Sequence, residues 1–180
     1  MPQVPEQLPF EMAVRLLEQR IQETYGLRLV TRDIPDPLTG DLNGAEIDID
    51  YAVTPAERLF LLAHLFGHTV QWNTDPAAYE MGRPQQPPVE EVLMPELMQY
   101  EATAAQYGLQ LLHDCGLTQF DQWLSDYTAA DRAYLAHFYR TGRARKFQNF
   151  WQDGTPLVTP LVIPNFVPHA RAFRTDGIVI

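Results

Sequence analysis

Two histidines, His64 and His68, are the residues of this sequence whose types and spacing are best suited to chemistry. Side chains four residues apart on a helix lie on one face, so the two imidazoles can bind the same metal ion. Imidazole is a common ligand of zinc and of other divalent transition metals. The spacing therefore predicts half of a metal site, and another part of the chain must supply the remaining ligands.

The stretch that carries both histidines, residues 54–72, is TPAERLFLLAHLFGHTVQW. Thr54 can cap its first turn, Pro55 suits the first helical position, and Glu57 can reach back to the cap. Almost every side chain that follows is apolar, as in helices that lie inside a domain. We therefore predict a buried central helix that holds the two histidines away from bulk water.

The histidine pair has the spacing of the zinc-peptidase motif HExxH, but the motif is incomplete. The glutamate of that motif acts as general base on a metal-bound water, and Leu65 stands at its position. Leucine can neither accept a proton nor return one to a leaving amine. General acid–base catalysis typically contributes about 10²–10⁴-fold to a rate. The sequence therefore predicts metal ligands and no catalytic residue.

A third candidate ligand, Glu101, lies in the second long predicted helix, residues 96–113. Helical spacing places it on a stripe of small and apolar residues, opposite a polar stripe. A buried carboxylate needs a cation or hydrogen bonds, and His₂Glu is a known ligand set of catalytic zinc. We predict that one zinc ion is bound by His64, His68 and Glu101.

Spacing alone leaves two questions about this site open. A fourth ligand could come from His113, His137 or His169. Alternatively, His64 and His68 are core residues that only form hydrogen bonds, and the domain binds no metal.

The remaining periodicities predict an α+β fold that is mainly helical and has a small β-sheet. An amphipathic helix precedes two alternating segments that are typical of strands, joined by the turn-forming sequence DPLTGDLNG. The second strand should present an acidic face to water. Two shorter helices, each with a T-x-x-D start, follow the second long helix. The predicted ranges are helices at 11–25, 118–127 and 128–140 and strands at 27–34 and 45–51.

The domain prediction separates residues 1–154, one domain, from an extended Pro-rich tail at 155–180. Prolines recur every four residues from Pro156 to Pro168, which excludes helix and central strand. The apolar residues between them predict that the tail packs on the domain. It could plug a groove beside the histidine helix, or it could pack against the back of the helices.

Composition excludes several classes of function. The net charge of −10 over 180 residues argues against direct nucleic-acid binding, despite a small basic cluster at 140–146. The N-terminus lacks the pattern of a signal peptide, and no apolar run is long enough to span a membrane. A single cysteine, Cys115, cannot form an internal disulfide. We therefore expect a cytoplasmic protein with no membrane contact.

In its motifs and their order, the sequence resembles the ImmA/IrrE-type zincin metallopeptidases over roughly residues 11–113. The similar elements are a helix ending in YG, a strand, a Pro- and Gly-rich turn, the strand AEIDID, and PAERLFLLAHLFGH. EATAAQYGLQLL is similar to the family segment E-A-N-x-F-A-x-x-L-L. The resemblance implies a zincin-like metallopeptidase fold, in which His64, His68 and Glu101 are the zinc ligands.

The departures from the family pattern are Leu65, in place of the base, and Thr103, in place of the asparagine. They predict a pseudopeptidase or weak peptidase that acts in regulation by binding a protein or peptide. The resemblance implies a transcriptional regulator as that partner. The alternatives are an active atypical zinc metalloendopeptidase, whose base comes from elsewhere, and a metal-free structural or interaction domain.

Overall fold

The structure of the protein, a computed structural model, describes residues 7–171, with side chains from residue 9 onward. It confirms the mainly helical α+β architecture with one small mixed sheet. No helix in this range is long and apolar enough to cross a membrane. The elements are helices α1 (Gln7–Tyr25), α2 (Pro55–Thr74), α3 (Pro76–Met81), α4 (Met94–Asp114) and α5 (Asp121–Thr141), and strands β1 (Arg28–Arg32), β2 (Gly40–Leu42) and β3 (Glu46–Asp50).

The sheet has the order β1-β3-β2, with β1 parallel and β2 antiparallel to the central strand. Leu29 of β1 and Leu42 of β2 both lie opposite Ile47 of β3. The strand β2 lies inside DPLTGDLNG, for which the sequence predicted only a turn, so that prediction was wrong here. Pairing with β3 gives this segment its backbone partners, and tertiary context of this kind overrides the low strand propensity of Gly and Asp.

The predicted solvent-facing acidic side of β3 is also wrong, because only 2% of Asp48 and 8% of Asp50 is exposed. Asp48 forms an ion pair with Arg32 on the neighbouring strand. Asp50 accepts hydrogen bonds from the backbone N–H groups of Ile34 and Ala52, at 2.8 Å each. These two bonds hold the pKa of the Asp50 carboxyl below its usual value, since they stabilise the charged form. Local partners thus make burial of both carboxylates possible.

The central helix α2 begins as the sequence predicted. The Thr54 hydroxyl accepts from the Glu57 N–H at 3.2 Å, and the Glu57 carboxylate accepts from the Thr54 N–H at 2.7 Å. Every residue from Leu59 to Trp72 is buried, between α1, α4 and the sheet. The helix therefore lies in the middle of the core, where its apolar composition places it.

Helices α2 and α4 pack almost backbone to backbone. A Cβ atom added at Gly67 of α2 would overlap the carbonyl oxygen of Ala104. Likewise, a Cβ atom added at Gly108 of α4 would lie 2.7 Å from the carbonyl oxygen of Ala63 on α2. Each helix thus presents a glycine to the other, and this close approach brings the buried face of α4 against the histidine helix.

The segment after α4 forms one long helix, so the prediction of two helices at 118–127 and 128–140 is wrong. A single 3₁₀ turn (Thr118–Phe120) leads directly into α5. Thr128 and Asp131 lie buried in the middle of α5 and do not form a helix start. Residues 117–141 contain no Pro or Gly that could end a helix near Tyr127, so the helix continues through the T-x-x-D pattern.

The tail has neither helix nor strand from residue 152 to residue 171, and residues 172–180 lie outside the described range. It crosses α5 and α4, where Val158 N–H donates to Ser125 Oγ at 2.9 Å and Leu161 N–H donates to the Gln106 carbonyl at 3.2 Å. Farther along, Phe166 stacks on Tyr25 of α1 with ring centroids 5.6 Å apart. Its outer side leaves apolar residues in water, including Leu157 (58% exposed) and Val162 (81% exposed).

The substitution Gly67→Ala should destabilise the protein although alanine has the higher helix propensity. Propensity alone would favour alanine by about 1 kcal/mol. The added methyl group must instead push α2 away from α4, and overpacking of this kind costs roughly 1–3 kcal/mol. Urea denaturation should show this loss in the free energy of unfolding. Gln99→Ala, on the exposed face of α4, is the control and should change it by less than about 0.5 kcal/mol. Unchanged or increased stability in Gly67→Ala would contradict the close approach.

Candidate metal centre

The structure brings His64, His68 and Glu101 together. The two histidines lie one turn apart on the same face of α2, and Glu101 projects from α4 towards them. Glu101 Oε2 lies 3.0 Å from His68 Nε2 and 3.9 Å from His64 Nε2. All three side chains are buried, and one ligand atom from each lies within 4.8 Å of the other two. These residues form a group that could hold a metal ion.

The donor set is one that zinc uses, and the two distances at Glu101 are near those around a tetrahedral ion. Zinc binds imidazole nitrogen and carboxylate oxygen at about 2.0–2.2 Å, so two of its ligand atoms lie roughly 3.4 Å apart at a tetrahedral angle. The two nitrogen–oxygen distances at Glu101, 3.0 and 3.9 Å, lie on either side of this value. Three protein ligands leave one position open, which is the arrangement of catalytic rather than structural zinc sites.

A hydrogen-bond relay fixes the orientation of the His68 ring. The Gln71 amide nitrogen donates to the Tyr100 carbonyl at 3.0 Å, which directs Gln71 Oε1 towards His68 Nδ1 at 2.8 Å. An amide oxygen only accepts, so Nδ1 must carry the proton. The Tyr100 ring also stacks on the imidazole, with centroids 4.3 Å apart. Nε2 of His68 is thereby turned towards Glu101.

The 3.0 Å contact between His68 Nε2 and Glu101 Oε2 then has two chemical interpretations. With Nδ1 protonated, a neutral His68 presents a lone pair at Nε2, which would repel the Glu101 carboxylate. The contact must therefore contain either a proton, as in a buried ion pair, or a metal ion in the space that both atoms face. A proton between His68 and Glu101 corresponds to the alternative in which the domain binds no metal.

Asp131 of α5 lies beside His64, on the side of the ring away from Glu101. Its Oδ2 atom lies 3.9 Å from His64 Nδ1, whereas His64 Nε2 faces Glu101. Histidine ligands of metals usually direct their second ring nitrogen to a carboxylate or another acceptor, which orients the ring. Gln71 occupies this place for His68, and Asp131 occupies the corresponding place for His64, which also stacks on Phe60.

Sequence reasoning did not identify Gln71 or Asp131 as part of the site. Gln71 lies three residues after His68 on α2 and therefore shares its face, a signal that the spacing contained. Asp131 was interpreted as part of a helix start. Had 121–141 been treated as one helix, its position between the buried residues Leu124 and Leu135 would have placed it on the inner face.

Leu65, which stands at the position of the glutamate in the HExxH motif, lies in the core. Leu65 is fully buried, and its Cδ1 atom packs against Gly40 of β2 so closely that a Cβ atom there would lie only 2.8 Å away. The side chain thus fills the space between α2 and the adjacent strand. In the described part of the chain, the metal-ligating group contains no acidic residue besides Glu101.

The sequence left open whether His113, His137 or His169 adds a fourth ligand, and none of them belongs to this group of described side chains. His113 Nε2 lies 2.8 Å from Asp121 Oδ1, at the start of α5. His137 contacts the Thr141 hydroxyl one turn later on the same helix. His169 is exposed, and its backbone N–H donates to Asn73 Oδ1 at 2.9 Å.

Comparison of the chain with protein-family models, curated proteins and solved structures gives no match in any of the three. Inference about function therefore depends on the geometry of the site. A mainly helical α+β domain with a buried His₂Glu cluster is a candidate metal-binding protein.

Proposed function

We propose that this chain is a zincin-like protein that binds one zinc ion through His64, His68 and Glu101. It has lost or weakened peptidase activity and acts in regulation by binding a protein or peptide. The observation that carries this proposal is the convergence of three buried ligand atoms contributed by two helices packed at their glycines.

The orientation of the two rings supports metal binding over a coincidental cluster. Both Nε2 atoms face Glu101, and both Nδ1 atoms face an acceptor, Gln71 Oε1 for His68 and Asp131 Oδ2 for His64. A bound zinc ion would supply Lewis-acid polarisation of a carbonyl oxygen or an acidified water. The residues of the chain hold the ligand atoms in place and keep bulk water away from them.

Weak or absent hydrolysis is supported by the environment of residue 65 and by the position of Asp131. Leu65 has no proton-accepting atom and packs in the core. Asp131 faces the Nδ1 edge of His64, opposite the Nε2 edge that points to Glu101, so the ring separates it from the ligand cluster. This position suits a residue that orients His64 and does not suit a general base.

A protein or peptide partner, a transcriptional regulator among the possibilities, is supported by the resemblance to ImmA/IrrE-type proteins. Of the three ligands, His64 is the most exposed, at 8%. We also propose that the protein is cytoplasmic, on the basis of the composition of the sequence and of the same resemblance.

Removal of one ligand tests the metal site. His68→Ala should abolish zinc binding, because it leaves two ligands that cannot hold the ion in competition with water. Metal analysis of protein purified without added zinc, with stoichiometry, is the measurement. The control is His113→Ala, which should retain one zinc per chain. Unchanged zinc content in His68→Ala, or no zinc in the wild-type protein after titration, would contradict the proposal and favour the buried ion pair.

Asp131→Ala should weaken zinc binding without abolishing it, because His64 would lose the acceptor that orients its ring. Loss of such an outer partner typically reduces metal affinity by about 10–100-fold. Competition with a chromophoric chelator measures the dissociation constant. Asp131→Asn keeps an acceptor oxygen and should recover part of the affinity, while Asp33→Ala, on the exposed surface, is the matched control. An affinity in Asp131→Ala equal to that of the wild type would show that Asp131 has no orienting role.

The third test concerns hydrolysis. The wild-type protein should cleave casein at well below about 1 s⁻¹, a rate at the low end for enzymes. Leu65→Glu should raise any residual rate, because it restores a base beside the site. Leu65→Gln introduces the same shape and polarity without a base, so it separates catalysis from the structural cost of a polar group at a buried position. Efficient cleavage by the wild type, or equal rates in the two variants, would refute the assigned role of Leu65.

A further inference from the structure

A cavity of about 310 Å³ opens beside the candidate metal centre, between α2, α5 and the 3₁₀ turn Phe147–Phe150. This volume is at the lower end of the range for small-molecule sites. Eight residues line it, among them Glu57 and Leu61 of α2 and three aromatic residues; the full set is Thr39, Val53, Glu57, Leu61, Tyr127, Phe147, Gln148 and Trp151.

The cavity and the metal ligands lie along one stripe of the same helix. Glu57, Leu61, His64 and His68 are separated by four, three and four residues, which is the spacing of a single helical face. At 1.5 Å per residue, Leu61 lies about 4.5 Å and Glu57 about 10 Å from His64 along the axis. The cavity and the metal ligands therefore lie on the same side of α2, where 8% of His64 is exposed.

The three aromatic residues that line the cavity are in contact through Tyr127. The centroid of the Tyr127 ring lies 5.2 Å from that of Phe147 and 5.7 Å from that of Trp151. Behind them, Tyr127 stacks on Phe60 at 3.9 Å, and Phe60 stacks on His64. Aromatic faces attract cations through their quadrupole, and the attraction is stronger where water is excluded.

Of the described residues that line the cavity, Glu57 alone carries a charge, and it lies at the exposed rim. Glu57 uses its carboxylate to cap α2, and among the described side chains it forms no ion pair with Lys, Arg or His. Burial, together with the charges of Glu57 and Asp131, raises the pKa of Tyr127, so its hydroxyl stays neutral. Lys146 precedes Phe147 in the chain, but it is exposed and does not line the cavity.

We propose that this cavity binds the cationic side chain of a lysine or arginine residue of a peptide, between the Glu57 carboxylate and the rings of Tyr127, Phe147 and Trp151. The peptide context rests on the proposed function, whereas the cavity itself does not require the metal. An extended peptide advances about 3.3 Å per residue. The cationic residue would thus lie two or three positions from the residue beside His64.

The first experiment compares two probes that differ only in the terminal ammonium group, N-acetyl-lysine methylamide and N-acetyl-norleucine methylamide. Titration is followed by NMR at the Trp151 indole N–H, which donates to Asp153 at 2.8 Å, with the indole of Trp72 as internal control. The lysine probe should bind roughly 3- to 10-fold more tightly and shift only the resonance near the cavity. Equal or tighter binding of the norleucine probe, or no shift of Trp151, would overturn the proposal.

The second experiment removes the charge and keeps the fold. Glu57→Gln retains the capping box, because glutamine serves at this position as well as glutamate. It should abolish the preference for the lysine probe, whereas Glu80→Gln on the exposed side of α3 should leave it unchanged. An unaltered preference in Glu57→Gln would refute the role of the carboxylate.

Repeating the titration in His68→Ala separates this inference from the metal proposal. Lysine binding should persist in that variant, since the cavity lies two turns away and has its own walls. Loss of zinc with retained lysine binding supports both proposals, and zinc binding without lysine binding overturns only this one.

Discussion

The structure depends on the backbone contact between α2 and α4. Gly67 faces Ala104 and Gly108 faces Ala63, so the two helices approach more closely than any pair with side chains between them could. At this separation the Glu101 side chain on α4 lies 3.0 Å from one imidazole of α2 and 3.9 Å from the other. The same contact therefore decides both the packing of the core and the geometry of the candidate site, and the two cannot vary independently.

A buried cluster of two histidines and a carboxylate is poorly explained as a device for stability. Removal of a carboxylate and imidazoles from water has a large desolvation cost, and well-packed apolar residues often stabilise such a position as well or better. The chain nevertheless surrounds the cluster with further polar groups, Gln71 and Asp131, each directed at the Nδ1 atom of one histidine. Several buried polar groups around one cluster are typical of functional sites, where ionisable residues are often buried and have perturbed pKa values.

The sequence allowed correct prediction where the signal is local. The capping box at Thr54, the buried face of α2 and the inward position of Glu101 all follow from spacing within one helix, and the structure confirms them. Prediction failed where a contact distant in sequence decides the outcome. β2 exists because β3 pairs with it, and Asp131 reaches His64 across 67 residues of chain, a meeting that no periodicity within α5 can reveal.

Leu65 stands at the position of the glutamate in the HExxH motif and is part of the core. Complete burial of a leucine side chain contributes about 1.5–3 kcal/mol, and here the side chain fills the space that the absence of a Cβ atom at Gly40 leaves open. A glutamate at the same place would exchange this contact for a carboxylate that needs water, a hydrogen bond or the metal ion. Leu65 and Gly40 are therefore complementary in shape, and the strand beside the helix is fitted to an apolar residue. That fit supports the proposal that the site binds and does not hydrolyse, because the core holds the ligands in place and Leu65, at the position of the HExxH glutamate, is part of that core.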